Sequence, residues 1–348
     1  MKKVNIIIPS KKISHILTST LKKLKKQTLK NIIVTIVIDN KNYKKKFLYG
    51  KNIKIVPLNG SKNMSVKRNY AAKLVKSEYL AFLDSDAFPE NKNWLSNGVK
   101  YLEKYKKDNV VICGGPDVSP KLESTENKIS GILDKSYFIS GFRNYRKSKK
   151  KNKFVKQLAS CNMFISRSDY LSYGGMKESL YTGEDADLCN RVIINKKKIY
   201  YHPSISVIHL NRSFKAYLIQ RIDRSHEAAR ATKEFFLGLF KKNFKGSYKI
   251  DSFRYEFLIN PILSIYILFY FFNYIFLVVN ELIAFIPFLI FFILTFLESI
   301  RLTKKIKYFL HIFFKLNITI FVQSFANLYF LFLKDNFIKK KYVNQNDK

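Results

Sequence analysis

The chain has 348 residues, of which 47% are hydrophobic, and a formal net charge of +38 from 63 Lys and Arg against 25 Asp and Glu. This composition excludes wholesale disorder, and the length allows one large domain or two ordinary ones. The charge would suit nucleic acid or an anionic membrane surface as a partner. Only 11 of the basic residues are Arg, however, and a Lys-rich composition is also what the codons of an AT-rich genome produce.

Three cysteines, Cys113, Cys161 and Cys189, lie far apart with no CxxC pairing. Neither a zinc knuckle nor a disulfide scaffold is therefore indicated, and a reducing compartment fits. No nucleic-acid recognition motif accompanies the basic residues, so we expect no nucleic-acid partner.

The first 210 residues alternate between strand and helix patterns. Continuous apolar, β-branched runs predict buried strands at 4–8, 32–38, 53–58 and 79–83, with helices at 14–26 and 65–76 between them. A helix from residue 184 to about 195 and strands at 199–203 and 207–210 follow. This alternation predicts an α/β sheet with the functional site at the carboxyl ends of its strands.

Acidic residues stand at two of those strand ends. Asp39 closes one predicted strand, and Asp84-Ser85-Asp86 closes another. Two carboxylates at i and i+2 after a strand are positioned to bind one hard cation such as Mg²⁺, which prefers oxygen ligands and often bridges to a substrate phosphate. Taken alone, the Asp-x-Asp pattern fits turn caps or solvated loop residues equally well.

Five segments, in order, resemble the motifs of family 2 glycosyltransferases with the GT-A fold: VNIIIPS, IVTIVIDN, KRNYAA, EYLAFLDSDAFPE and GGMKESLYTGEDADLCNRV. The resemblance covers residues 1–235. It implies a Rossmann-like mixed sheet that binds a nucleotide-sugar donor, with a UDP-sugar expected, and a divalent cation, Mn²⁺ or Mg²⁺. It also implies inversion at the anomeric carbon.

The resemblance assigns site residues by position. It makes Asp185 the catalytic base and places Asp84, Asp86 and His209 at the metal. The donor contacts that it implies are Pro9, Ser10, Asp39, Arg68, Asp84, Asn162 and Glu184.

Plainer interpretations of these residues stay open. Glu184 and Asp185 also fit the first turn of a helix, where negative charge is favourable. A histidine between Ile208 and Leu210 also fits a buried side chain with ordinary hydrogen bonds.

The C-terminal third is typical of a membrane protein. A basic and amphipathic linker at 236–256 leads into Phe257–Asn280, 24 residues without a charge, and Leu282–Leu297, another 16. We expect these runs to form a transmembrane hairpin over 257–297. In the last segment, 298–348, a basic loop precedes an apolar stretch and a basic tail.

Within that apolar stretch polar residues recur every four positions: His311, Lys315, Thr319, Gln323 and Asn327. This stripe favours a helix in the plane of the membrane interface over a third crossing. The distribution of basic residues then places the catalytic domain on the cytoplasmic side of the cell (inner) membrane.

These features predict an inverting glycosyltransferase that moves a sugar from a nucleotide-diphosphate sugar to a hydroxyl of a lipid-linked or other glycan acceptor, in cell-surface polysaccharide or glycolipid synthesis. The Gln-x-x-Arg-Trp motif of processive synthases is missing, since Trp94 is the only tryptophan, so polymer export is not expected. The alternative is a non-catalytic, membrane-anchored protein that binds nucleotide sugars or anionic ligands.

Overall fold

In this computed structural model the described residues are 2–39, 52–58, 63–240 and 280–332, with the helical positions 262–263, 265–266, 268–270 and 272–273. The chain divides into two compact units. The first contains Met1–Pro120 and Tyr145–Leu210, and the second contains Lys121–Asn144 and Asn211–Asp335. Residues 211–235, which the sequence analysis assigns to the glycosyltransferase domain, thus group with the C-terminal helices.

The first unit is built on a mixed sheet of eight strands within the described residues, in the order β3-β2-β1-β4-β9-β6-β10-β8. A smaller sheet has the order β5-β11-β7. The strands are β1 Val4–Pro9, β2 Ile32–Ile38, β3 Ile53–Pro57, β4 Tyr79–Leu83, β5 Ala87–Pro89, β6 Val110–Gly114, β7 Asp117–Val118, β8 Lys153–Val155, β9 Asn162–Ser166, β10 Lys198–Tyr201 and β11 Val207–His209. The helices of this unit are α1 His15–Lys25, α2 Met64–Leu74, α3 Trp94–Lys104, α6 Arg167–Ser172 and α7 Glu184–Ile194.

The central strands form because their apolar residues are buried on both faces of the sheet. Every residue of β1 and β4 is buried. Alternate side chains of β1 enter two different cores, with Ile6 and Ile8 on one face and Ile7 on the other. Because β1, β2 and β4 are parallel neighbours, their carboxyl ends meet at one edge of the sheet. The residues that follow these three strands therefore lie next to one another.

The second unit is helical in its described residues. It contains α4 Thr125–Leu133, α5 Tyr137–Ser140, α8 Phe214–Phe240, α9 Glu281–Leu302 and α10 Ile306–Phe332. A 3-10 helix, Gly141–Lys147, follows α5. Two segments, Ile283–Leu302 and Ile306–Phe332, are long and apolar enough to cross a membrane.

Helix α8 packs along α10 over most of its length. Ser225 Oγ donates to the carbonyl of Gln323 at 3.0 Å, and Asn327 donates back to the carbonyl of Ser225 at 3.3 Å. Further along both helices, Lys233 Nζ donates to the carbonyl of Phe330 at 2.8 Å. The predicted polar stripe of α10 is thus turned partly toward α8, since Thr319 and Asn327 are fully buried.

The α/β fold expected from the sequence is confirmed. Each predicted strand and helix up to residue 83, the helix at 184–195 and the two strands after it lie within two residues of the expected bounds. The linker beyond residue 240, most of the first apolar run and the basic tail after residue 332 lie outside the described residues.

Candidate active site

The expected nucleoside end of the site is organised by a buried lysine. Lys67, in the first turn of α2, is fully buried; its ammonium donates to the carbonyl of Ser10 at 2.8 Å and forms an ion pair with Asp39. The structure therefore brings together Ser10 at the end of β1 and Asp39 at the end of β2. Burial lowers the pKa of Lys67, and the contact with Asp39 opposes that shift. Lys67 precedes Arg68 in the KRNYAA motif, but nothing in the sequence marked it as a residue of the site.

Arg68 joins two of the predicted carboxylates. Its guanidinium is 3% exposed and contacts Asp84 Oδ1 and Glu184 Oε1 at 2.8 Å each. Burial works against the charge of Arg68, but Asp84 and Glu184 outweigh it and raise the pKa of Arg68. Arg68 thus connects the end of β4 to the start of α7.

The segment that leads to α7 is fixed to α2 by Asn69. Its amide donates to the carbonyl of Met176 at 2.7 Å and to Glu178 Oε1 at 2.9 Å, and its oxygen accepts from the Met176 N–H at 2.9 Å. Helix α7 then begins after Gly183, whose φ of 77° lies in the left-handed region that glycine adopts without strain. These contacts set where the first turn of α7 lies.

Asp185 differs from its acidic neighbours in the contacts that it makes. Glu184 is bound to Arg68, and fully buried Asp187 is paired with Arg191, with a hydrogen bond of 2.9 Å from Nε. Asp185 instead accepts from the backbone N–H of Ser160 at 3.2 Å and from that of Ala186 at 2.7 Å. Of the three carboxylates, Asp185 is the one whose hydrogen bonds come from backbone N–H groups rather than from an arginine.

His209, Asp84 and Asp86 converge as the sequence analysis expected. The His209 Nε2 lies 3.3 Å from Asp86 Oδ1 and 3.9 Å from Asp84 Oδ2. The small sheet makes this possible, because His209 on β11 pairs with Ala87, the residue after Asp86. Burial disfavours the charged imidazole, but the two carboxylates outweigh burial and raise the pKa of His209 to about 9.

The same contacts act on Asp84. Burial disfavours its ionisation, but His209 and Arg68 outweigh burial and lower the pKa of Asp84 below its usual range. Asp84, Asp86 and His209 offer the oxygen and nitrogen ligands that a divalent cation takes in proteins. The residues present therefore fit the expected cation.

Asn162 is engaged by the protein itself. Its amide donates to the carbonyls of Pro116 and Ile205 at 3.1 and 2.6 Å, and its oxygen accepts from the Trp94 indole at 2.9 Å. The side chain is 1% exposed. This geometry is that of a structural cross-link, and a contact between Asn162 and the donor sugar stays a prediction without support from it.

A second charged cluster lies on the neighbouring strand β7. Asp117 is 4% exposed, and its Oδ2 contacts Lys147 at 2.9 Å and Arg146 at 3.4 Å. Burial disfavours ionisation of Asp117, but the two cations outweigh it and lower its pKa. Arg146 is close enough to Asp185 for their charges to interact. The sequence offered only a dense basic run at 143–156, and nothing in it distinguished these two residues from the solvated lysines that follow.

The mixed α/β sheet, with carboxylates at the ends of its strands, matches the fold of GT-A glycosyltransferases. Residues 5–173 match the model of the family described as "Glycosyl transferase family 2". Residues 5–173 thus form a domain of this family, and the protein is a glycosyltransferase.

One solved structure has this fold over most of the chain. The mannosyltransferase PcManGT from Pyrobaculum calidifontis, solved with GDP-Man and Mn²⁺, is 13% identical; the match covers 94% of this chain and 87% of that one, with a TM-score of 0.60. GalNAc-T7, solved with UDP, GalNAc and Mn²⁺, is 16% identical over 67% of this chain and 51% of that one, with a TM-score of 0.48. No curated protein sequence gives a significant match.

Proposed function

We propose that this chain is an inverting glycosyltransferase that moves a sugar from a nucleotide-diphosphate sugar to a hydroxyl of a lipid-linked acceptor at the membrane. One observation carries the proposal. The pair Asp84 and Asp86 converges with His209 at the end of β4, while Asp185 is held nearby by the backbone of Ser160, the residue before Cys161.

The residues divide the reaction between them. Asp39, held by Lys67, accepts a hydrogen bond from the nucleoside, with Pro9 and Ser10 beside it. Asp84, Asp86 and His209 are the residues that would hold a divalent cation, Mn²⁺ or Mg²⁺. When bound, such a cation supplies positive charge beside the diphosphate.

Asp185 takes the proton of the acceptor hydroxyl as that oxygen attacks the anomeric carbon. Glu184 and Asp187 are each paired with an arginine, so Asp185 is the carboxylate that we assign as proton acceptor, and the reaction needs no covalent intermediate. A single displacement inverts the configuration at the anomeric carbon. NMR spectroscopy of the product, which reports the anomer formed, tests this point.

The basic pair Arg146 and Lys147 supports an anionic acceptor such as a lipid phosphate. Both side chains are largely buried, at 16% and 8% exposure, and both contact Asp117. Positive charge beside the proposed base suits an acceptor whose hydroxyl is carried on a phosphorylated group.

The donor is tested by nucleotide binding to the full-length protein in detergent, with UDP, GDP and dTDP compared, each with and without Mn²⁺. We expect Mn²⁺ to strengthen binding of one nucleotide, with UDP the expected one, and Asp86→Ala to abolish that effect. Asp108→Ala, an acidic residue in an exposed turn, is the matched control. Mn²⁺-independent binding of all three nucleotides would contradict the cation assignment, and donor binding without transfer would favour the non-catalytic alternative.

We also propose that α9 belongs to a transmembrane hairpin, whereas α10 lies in the plane of the interface. Helix α8 packs along α10 and carries eight charged side chains between Phe214 and Phe240. Each charge at the centre of a bilayer costs about 2.5–3.5 kcal/mol, so α10 cannot enter the hydrocarbon core with α8 attached.

The exposed face of α10 fits this position. Large apolar side chains recur along it at intervals of three, four or seven residues: Ile306, Leu310, Phe314, Ile318, Phe325, Tyr329 and Phe332. Such a face, opposite a helix with many charges, is typical of interfacial helices. A reporter fused after residue 348 should lie on the cytoplasmic side together with the N-terminus, and a reporter on the opposite side would show a third crossing.

A further inference from the structure

Cys161 lies within the group of candidate cation ligands, although the proposed reaction makes no use of its thiol. One ligand atom from each of Asp84, Cys161 and His209 lies within 4.8 Å of the other two. Cys161 is 4% exposed, and it is a free cysteine. The thiol thus stands at the cation site rather than elsewhere in the core.

The position of the thiol is fixed from both sides. The preceding residue, Ser160, donates its N–H to Asp185, and the side chain of the following residue, Asn162, makes three hydrogen bonds inside the protein. The backbone at Cys161 therefore holds the sulfur beside His209 and Asp84.

Ligand chemistry distinguishes this group from an all-oxygen site. Mg²⁺ takes oxygen ligands, whereas Zn²⁺ binds cysteine sulfur at about 2.3 Å and histidine nitrogen at about 2.0–2.1 Å. In a tetrahedral zinc site neighbouring ligand atoms are then about 3.5 Å apart. The separations of at most 4.8 Å exceed this value by no more than about 1.3 Å, which side-chain rotations cover.

We propose that Cys161, His209 and Asp84 form a Zn²⁺ site that overlaps the Mn²⁺ or Mg²⁺ site and excludes those ions when zinc is bound. The overlap rests on the proposed function, because it assumes that Asp84 and His209 serve the catalytic cation. Zinc binding by the three side chains does not depend on the proposed function. Asp86, with Oδ1 3.3 Å from His209 Nε2, is within reach of the fourth ligand position.

Zinc binding exchanges protons for the metal ion and needs no oxidant or reductant. The S–H bond of Cys161 breaks, a sulfur–zinc bond forms, and the proton leaves to the buffer. A protonated His209 releases its ring proton in the same event. The zinc ion keeps its +2 charge throughout, and no group is oxidised or reduced.

The test uses the full-length protein in detergent after removal of bound metal, with Co²⁺ as a spectroscopic substitute for Zn²⁺. We expect Co²⁺ to produce the near-ultraviolet charge-transfer band of a thiolate–cobalt bond, and Zn²⁺ to displace it. Cys161→Ser should lose the band and bind Zn²⁺ at least about tenfold more weakly in competition with a chromogenic chelator. Cys113→Ser, at a buried cysteine whose thiol contacts the carbonyl of Gly98, is the matched control and should keep both properties.

A wild-type protein without the cobalt band would overturn the proposal, and so would a band that persists in Cys161→Ser. Because the first of these outcomes needs only the wild-type protein, the zinc site can be refuted even if Cys161→Ser fails to fold. Mn²⁺-dependent nucleotide binding is measured separately. If the wild-type protein shows the cobalt band but no Mn²⁺-dependent nucleotide binding, the catalytic cation assignment is refuted. If it shows Mn²⁺-dependent nucleotide binding but no cobalt band, the zinc site is refuted.

Discussion

Replacement of Arg68 by methionine tests whether the carboxylates of the site depend on one buried cation. The guanidinium contacts Asp84 and Glu184 at 2.8 Å each and is almost completely buried. In Arg68→Met both carboxylates stay in place and lose their shared partner. Removing one member of a buried ion pair costs about 3–5 kcal/mol, because the remaining charge loses a partner while it stays buried. We expect the free energy of unfolding to fall by this amount.

Thermal unfolding of the full-length protein in detergent measures the effect. At roughly 2–4 °C per kcal/mol, the Tm should fall by about 6–20 °C. Lys149→Met is the matched control, since it removes the same charge from an exposed pair with Glu90 and should cost less than about 1 kcal/mol. If Arg68→Met lowers the Tm no more than Lys149→Met does, Arg68 is not the cation that stabilises the site.

Three further predictions concern individual side chains. In Asp185→Asn the side chain keeps an oxygen that accepts hydrogen bonds but loses its basicity. Transfer should therefore slow by about 10²-fold or more, while donor affinity stays within a few fold. Near wild-type turnover would exclude Asp185 as the base. Burial raises the pKa of Glu184 to about 7 from its usual 4.5. Between these two pH values the folded state binds more protons than the unfolded state, so the stability of the fold falls as the pH rises from one to the other. Glu184→Gln should therefore match the Tm of the wild type near about pH 5 and exceed it near about pH 8, and parallel pH profiles would contradict this. Lys147→Met should raise the KM for a phosphorylated acceptor at least about tenfold and leave nucleotide affinity unchanged, and equal effects on acceptors with and without phosphate would argue against a phosphate contact.

The central strands could be predicted from the sequence because a strand buried on both faces consists of a continuous run of apolar residues. The apolar runs that became β1, β2 and β4 have no polar face, and a strand within a covered parallel sheet needs none. Asp84 and Asp86 could be found for the same reason, since they follow such a run at once. The position of α2 between β3 and β4 also follows from alternation alone.

The remaining contacts of the site depend on pairings between distant segments. Lys67 reaches Asp39 because α2 packs beside β1 and β2, and Asp117 meets Lys147 across thirty residues. A linear pattern does not specify such contacts. Asn162 is a related case: its place in a family motif predicts a ligand contact, whereas nothing in the sequence indicated its three hydrogen bonds with Trp94, Pro116 and Ile205.

The small sheet also has a consequence for the order in which the protein forms during synthesis. Its strands come from residues 87–89, 117–118 and 207–209, so closing it requires long loops to lose entropy before any pairing rewards them. A nascent chain that stops short of His209 already contains strands β1 to β4 and both aspartates, but it lacks the imidazole that sits between them. Because Phe257 lies well beyond His209 in the chain, all the residues of this cluster have been synthesised before the first long apolar run.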